Sequence, residues 1–239
     1  MNNPFSRDNF SRSMEKTGPP APLRKSADGA FRAGIVLVTM SVIIFLLTFY
    51  PVVKEELKYQ LLPRHTDVVV TTREEASKQA QTGGKVSDNI IYPVDEDFGI
   101  VIPKLSANAK VIPDVDWTNE AVYQRALTQG VAQARGTASP GEAGNVFLFA
   151  HSGVDFYEAV LYNAQFYLLS KLVPGDEIDL FYHKQKFVYR VSEKKTVSPE
   201  NVEYLTDDTK EKTLTLMTCT PAGTTFKRLL VIADQVENN

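Results

Sequence analysis

The sequence of 239 residues holds one cysteine, Cys219, so an internal disulfide is excluded. It holds three histidines and one tryptophan. No internal repeat and no low-complexity tract runs through it, which excludes solenoid and array architectures. No group of His, Cys, Asp and Glu has metal-ligand spacing, and no glycine-rich phosphate loop occurs. Neither sign of charge dominates. The formal net charge of −3 offers no broad basic surface, so no nucleic-acid partner is expected. What remains is an ordinary globular composition, 43% hydrophobic and 23% charged. The length suits one sizeable domain with accessory segments.

The charge is unevenly placed. Residues 1–32 carry Arg7, Arg12, Lys16, Arg24, Lys25 and Arg32 against Asp8, Glu15 and Asp28, a net of +3 that leaves −6 for the remainder. Ala33–Tyr50 then reads AGIVLVTMSVIIFLLTFY without a charge. As a helix this run rises roughly 27 Å, close to the ~30 Å of a bilayer core. Pro51–Val53 extend it, and Phe49 and Tyr50 stand where an interfacial aromatic belt lies. The basic flank predicts a cytoplasmic N-terminus. TFYPVVKEELKY follows with no small-residue cleavage site, which favours an anchor over a removed leader. The expected organisation is a disordered cytoplasmic tail (1–32), a single-pass transmembrane helix (33–53), an extracytoplasmic spacer (54–94) and a catalytic domain (95–239). The spacer has helical character around Arg73–Gln81.

Strand signals dominate from Asp97 onward: FGIVIPKL (98–105), KVIPDV (110–115), NVFLFA (145–150), EIDLFY (177–182), FVYRV (187–191), LTLMTC (214–219) and RLLVIADQV (228–236). His183–Lys186 reads as a hairpin connection. Helical patterns interrupt at Asn119–Leu127 and near Phe156–Leu169. Seven or eight short strands in this length predict an all-β closed barrel or a sandwich.

A lone cysteine in an exported chain is either a reactive thiol or a small buried hydrophobe. Cys219 ends an apolar strand just before the turn TPAGTTF, where a side chain on a rigid scaffold can meet substrate. His151 likewise ends the apolar strand GNVFLFA; the plainer reading is a solvated loop histidine. His65 falls in the spacer and His183 at a hairpin tip, where solvation explains it. Arg228 begins the strand after Cys219, across the same turn; a surface charge is the alternative reading.

These residues resemble the sortase pattern. TLMTC (215–219) with downstream Arg228 is similar to the Thr-Leu-x-Thr-Cys strand and its arginine. GTASPGEAGNVFLFAH (136–151) resembles the Gly-Thr…Pro-Gly-x-x-Gly-Asn segment leading to the family's histidine. FGIVIPKL resembles its opening strand, and KLVPGDEIDLFY (171–182) its Leu-x-x-Gly-Asp strand start. The matches keep the family's order across 97–236. The family often has Gly before the histidine and Arg after it; this chain has Ala150 and Ser152. The absence of a second C-terminal hydrophobic segment argues against a doubly anchored pilus-assembling form.

The resemblance implies a sortase-like closed β-barrel of about eight strands with short helices, and catalysis by His151, Cys219 and Arg228. It implies cleavage of a Leu-Pro-x-Thr-Gly-like C-terminal sorting signal on secreted proteins through a thioacyl-enzyme. Transfer would follow to an amine acceptor, such as a peptidoglycan precursor or another protein. Thr218 would help bind substrate or serve as a plain strand residue. No cofactor is implied. Some family members hold a structural calcium ion, and Asp95, Glu96 and Asp97 do not suffice to predict one. Two other exported cysteine-enzyme patterns fit poorly: Met217 stands where L,D-transpeptidases place His, and papain-like enzymes place the cysteine before the histidine. The non-enzymatic alternative is an anchored β-domain that binds a wall component or protein, with Cys219 inert.

Overall fold

The computed structural model describes residues 24–61, 68–81, 90–152, 166–206, 209–221 and 224–236. The chain divides into two compact units, Met1–Thr48 and Phe49–Asn239.

Helix α1 spans Arg24–Leu61 and contains the charge-free run. Its side chains are described continuously over 31–46, and large apolar groups from Ile35 to Leu46 are exposed there. Among the described residues no helix is long and apolar enough to cross a membrane. Of the expected disordered tail 1–32, residues 1–23 lie outside the described residues, and Arg24–Arg32 instead form the start of α1.

In the second unit, eight strands close into a barrel: β3 (Phe98–Ile102), β4 (Ala107–Val115), β5 (Val131–Ala134), β6 (Gly144–Phe149), β7 (Glu177–Tyr182), β8 (Gln185–Val197), β9 (Lys212–Thr220) and β10 (Lys227–Gln235). Their order around the barrel is β10-β8-β7-β3-β4-β5-β6-β9, and β9 pairs with β10 to close it. Two pairs, β4–β5 and β6–β9, are parallel. The all-β expectation therefore holds as a barrel, not a sandwich. The strand the sequence reading lacked is β5, whose four residues Val-Ala-Gln-Ala carry little β signal and are wholly buried.

Alternation sorts the side chains. Val146 and Leu148 of β6, Leu214 and Leu216 of β9, and Leu229 and Val231 of β10 are buried on one face and join a single core with Ile100, Val111 and Ile178. The β7–β8 hairpin turns in two residues, tighter than expected. His183 and Lys184 both take positive φ (49° and 64°), the backbone of a type I′ turn. His183 is exposed at this tip.

The segment before the barrel is built against it. Strands β1 (Val69–Val70) and β2 (Ile90–Ile91) pair in parallel. Val70 is buried with Val101 and Phe181, against Val68 and Ile91. Helix α2 (Arg73–Gln81) falls where helical character was expected. Its start is a reciprocal cap: Glu75 N–H donates to Thr72 Oγ1 at 3.2 Å, and Thr72 N–H donates to Glu75 Oε2 at 3.4 Å. Helix α3 (Glu120–Leu127) is capped by Asn119, which accepts from the Val122 N–H. Helix α4 is one turn, Glu203–Thr206. Of the expected helical stretch near Phe156–Leu169, residues 153–165 lie outside the described residues, and Leu169–Lys171 form a 3-10 turn.

Candidate active site

The barrel order brings three distant residues to one rim. Because β6 and β9 are parallel, their C-terminal ends meet; Phe149 lies beside Met217. The Ala150 N–H continues the ladder to the Met217 carbonyl at 3.2 Å. The Thr218 hydroxyl donates to the Ala150 carbonyl at 3.0 Å. His151 follows Ala150 and lines the same cavity as Cys219. Strand β10 returns antiparallel and sets Arg228 directly opposite Cys219. Directly opposed residues share a face of the sheet.

Arg228 Nη1 donates to Cys219 Sγ at 3.4 Å and to the Thr225 carbonyl at 3.1 Å. The turn before β10 thus holds the guanidinium while it faces the sulfur. Cys219, His151 and Arg228 are each half-buried, so all three are reachable from a cavity of about 520 Å³ that they line. The strand face supplies Phe147, Phe149, Met217 and Leu230. Trp117, Glu120, Tyr123 and Leu127 form a second wall, with Tyr123 edge-on to Phe149 at a centroid distance of 6.3 Å. Residues within Pro199–Leu205 form a third. Glu200, in the same segment but not among the lining residues, is held below the usual carboxylate range, first by the Ser198 hydroxyl, with the Arg228 charge contributing.

Thr218 lines the cavity yet is only 4% exposed, and its hydroxyl is committed to Ala150. Ser152, where the sequence departs from the family habit, is 1% exposed, and its hydroxyl has no partner among the described residues. Among the described residues no group of three or more His, Cys, Asp or Glu side chains is arranged to hold a metal ion. Asp95 instead pairs with Lys110 at 3.0 Å and accepts from the Phe98 N–H at 3.1 Å.

The sequence reading gave no role to Asn145, Glu120 or the 199–205 wall. Asn145 had a signal, an amide opening an otherwise apolar strand. The wall had none, because its residues meet the site only through the fold.

A family model described as Sortase domain matches residues 100–236. The crystal structure of sortase C-1 from Actinomyces oris is similar at 28% identity and a TM-score of 0.51, covering 61% of this chain and 75% of that one. The lid mutant of Streptococcus agalactiae sortase C1 is similar at 25% identity and a TM-score of 0.50, covering 62% and 73%. Sortase A from Corynebacterium diphtheriae is 28% identical with a TM-score of 0.49, covering 61% and 62%. No curated protein sequence matches. With the family model spanning more than half the chain over the barrel that carries Cys219, His151 and Arg228, this protein belongs to the sortase family.

Proposed function

We propose that this sortase is a membrane-anchored transpeptidase whose nucleophile is Cys219. The carrying observation is the 3.4 Å approach of Arg228 Nη1 to Cys219 Sγ at the rim where His151 also ends its strand. In this reading the sulfur attacks a backbone carbonyl in a Leu-Pro-x-Thr-Gly-like sorting signal. The C–N bond breaks as His151 protonates the departing amine, leaving a thioacyl-enzyme. His151 then takes a proton from an incoming amine, on a peptidoglycan precursor or another protein, and the new amide frees the thiol. Arg228 supplies a permanent positive charge and directional donors for the tetrahedral oxyanion. Thr218 holds the β6 and β9 ends level, which positions His151 against Cys219. No step calls for a metal or cofactor.

The anchor is the run 33–53. The described side chains over 33–46 carry no charge and are exposed on every side of α1, and a helix apolar all round is stable where hydrocarbon surrounds it. The active domain would then face outward, beside substrates that are themselves at the membrane.

The test incubates the full chain in detergent micelles with a library of sorting-signal peptides and reads intact mass. A hydroxylamine-labile acyl adduct on wild type, absent from Cys219→Ala, is expected. No adduct, together with a Cys219 that resists thiol reagents until denatured, would replace this reading with the anchored binding domain.

A further inference from the structure

We propose that Asn145 is a positioning residue for the peptide-binding wall, clamping segment 198–206 to the two strands that carry His151 and Cys219. The inference rests on the transpeptidase reading for its substrate and on geometry for the clamp. Asn145, the second residue of β6, stands in register with Thr213 of β9. Its Oδ1 accepts from the Thr213 hydroxyl at 3.3 Å and the Thr215 hydroxyl at 3.0 Å. Its Nδ2 donates to the Tyr204 carbonyl at 3.1 Å, across 59 positions of sequence. The orientation of the amide follows from chemistry. A backbone carbonyl can only accept, so the nitrogen must face Tyr204; the hydroxyls can turn to donate to the oxygen.

The segment held this way has little rigidity of its own. Helix α4 is four residues long, far short of a self-supporting helix. Among the described residues the Asn201 and Leu205 N–H groups bond locally, to the carbonyls of Ser198 and Val202, and the Glu203 N–H to the Asn201 side chain. Tyr204 and Leu205 pack against the core, which fixes depth, while a hydrogen bond to the backbone fixes register. Pro199, Asn201, Val202, Tyr204 and Leu205 all line the cavity. Asn145 touches neither sulfur nor imidazole. Its loss should displace the wall from the nucleophile and weaken peptide binding, with the chemical step largely kept.

The test uses the full chain in micelles and Asn145→Asp, which keeps the acceptor for both threonines and removes the donor at neutral pH. The KM for a fluorogenic Leu-Pro-x-Thr-Gly-type peptide should rise about tenfold at pH 7.5, the scale of one lost hydrogen bond, with kcat changed less than about threefold. Lowering the pH to 4, where a carboxyl of ordinary pKa is about half protonated, should bring KM part of the way back toward the wild-type value at the same pH, because the introduced carboxyl then donates again. Amide exchange over 198–206 should quicken about tenfold at pH 7.5, with 212–220 unchanged. Thr215→Val, which frees the amide to turn, should raise KM by a smaller factor. Wild-type KM and exchange in both variants would overturn the clamp. So would parallel loss of kcat, KM and thermal stability with no recovery at low pH. If wild type turns over no sorting peptide, the transpeptidase reading fails, and the exchange measurement still decides the clamp.

Discussion

At the scale of single residues the site depends on a few short contacts. Arg228 brings one guanidinium nitrogen to the sulfur and to the Thr225 carbonyl. Removing a preorganised oxyanion donor commonly costs about 10²–10³ in rate. Arg228→Ala should lower peptide cleavage by at least about 10²-fold, with thiol alkylation of Cys219 retained. Arg228→Lys should restore little, since an ammonium lacks the planar fork. Thr218 tests a different role. Its buried hydroxyl satisfies the Ala150 carbonyl one position before His151. Thr218→Val should cost about 1 kcal/mol in denaturant unfolding, and Thr218→Ser should recover most of it. A Thr218→Val with wild-type stability and altered peptide KM would instead make this residue a substrate contact.

At the scale of elements, strand direction does what no local pattern could. Parallel pairing of β6 with β9 puts their ends at one rim, and antiparallel β10 starts there. The opening of β3 shows how tightly this frame is set. A Cβ at Gly99 would clash with the Asp95 carbonyl oxygen, a backbone atom that cannot swing away. Asp95 is itself fixed by the Phe98 N–H and Lys110. Gly99→Ala should therefore destabilise the barrel by about 1–3 kcal/mol, seen as a lower Tm with the same unfolded baseline. An unchanged Tm would show that the 95–99 turn relaxes freely. Strand β5 and the wall at 198–206 belong to this scale too. Both are short, and both owe their structure to neighbours more than to their own sequence.

At the scale of the whole molecule, the segment before the barrel and the barrel share a buried charge. Asp179 of β7 is fully buried on the face covered by Val70. Lys186 Nζ lies 3.1 Å from Asp179 Oδ1, donates to the Val70 carbonyl at 3.0 Å and reaches Glu177 at 3.9 Å. Lys186 and Asp179 form an ion pair by distance, and among the described residues neither Asp179 oxygen has a partner in full hydrogen-bond geometry. Burial, only partly opposed by Lys186, pushes the Asp179 carboxyl from 3.8 up to about 6. A raised acid binds more protons folded than unfolded, so stability falls as pH rises from about 4 to about 6. The full effect is on the order of 3 kcal/mol at 1.36 kcal/mol per unit. Asp179→Asn should flatten that slope in urea unfolding of the full chain and gain stability at pH 7.5 relative to wild type. A slope unchanged by the substitution would move its origin to another group. The proposed N-terminal anchor makes a separate prediction. The full chain should remain with membranes through a high-salt wash, and a chain lacking 1–53 should not.

Local sequence determined which residues were candidates to react and where most of the barrel strands lie. A single cysteine at a strand end, a histidine at another, an arginine opening a third, and alternating β-branched runs are all legible one segment at a time. Hydrophobic period and turn chemistry act over a few residues, so they survive in the sequence. The order of strands around the barrel, the two parallel pairings, the face shared by Cys219 and Arg228, the wall tied by Asn145 and the burial of Asp179 were decided only in three dimensions. Each depends on pairing between segments tens of residues apart, and that pairing is chosen by the closure of one core rather than by any stretch of chain.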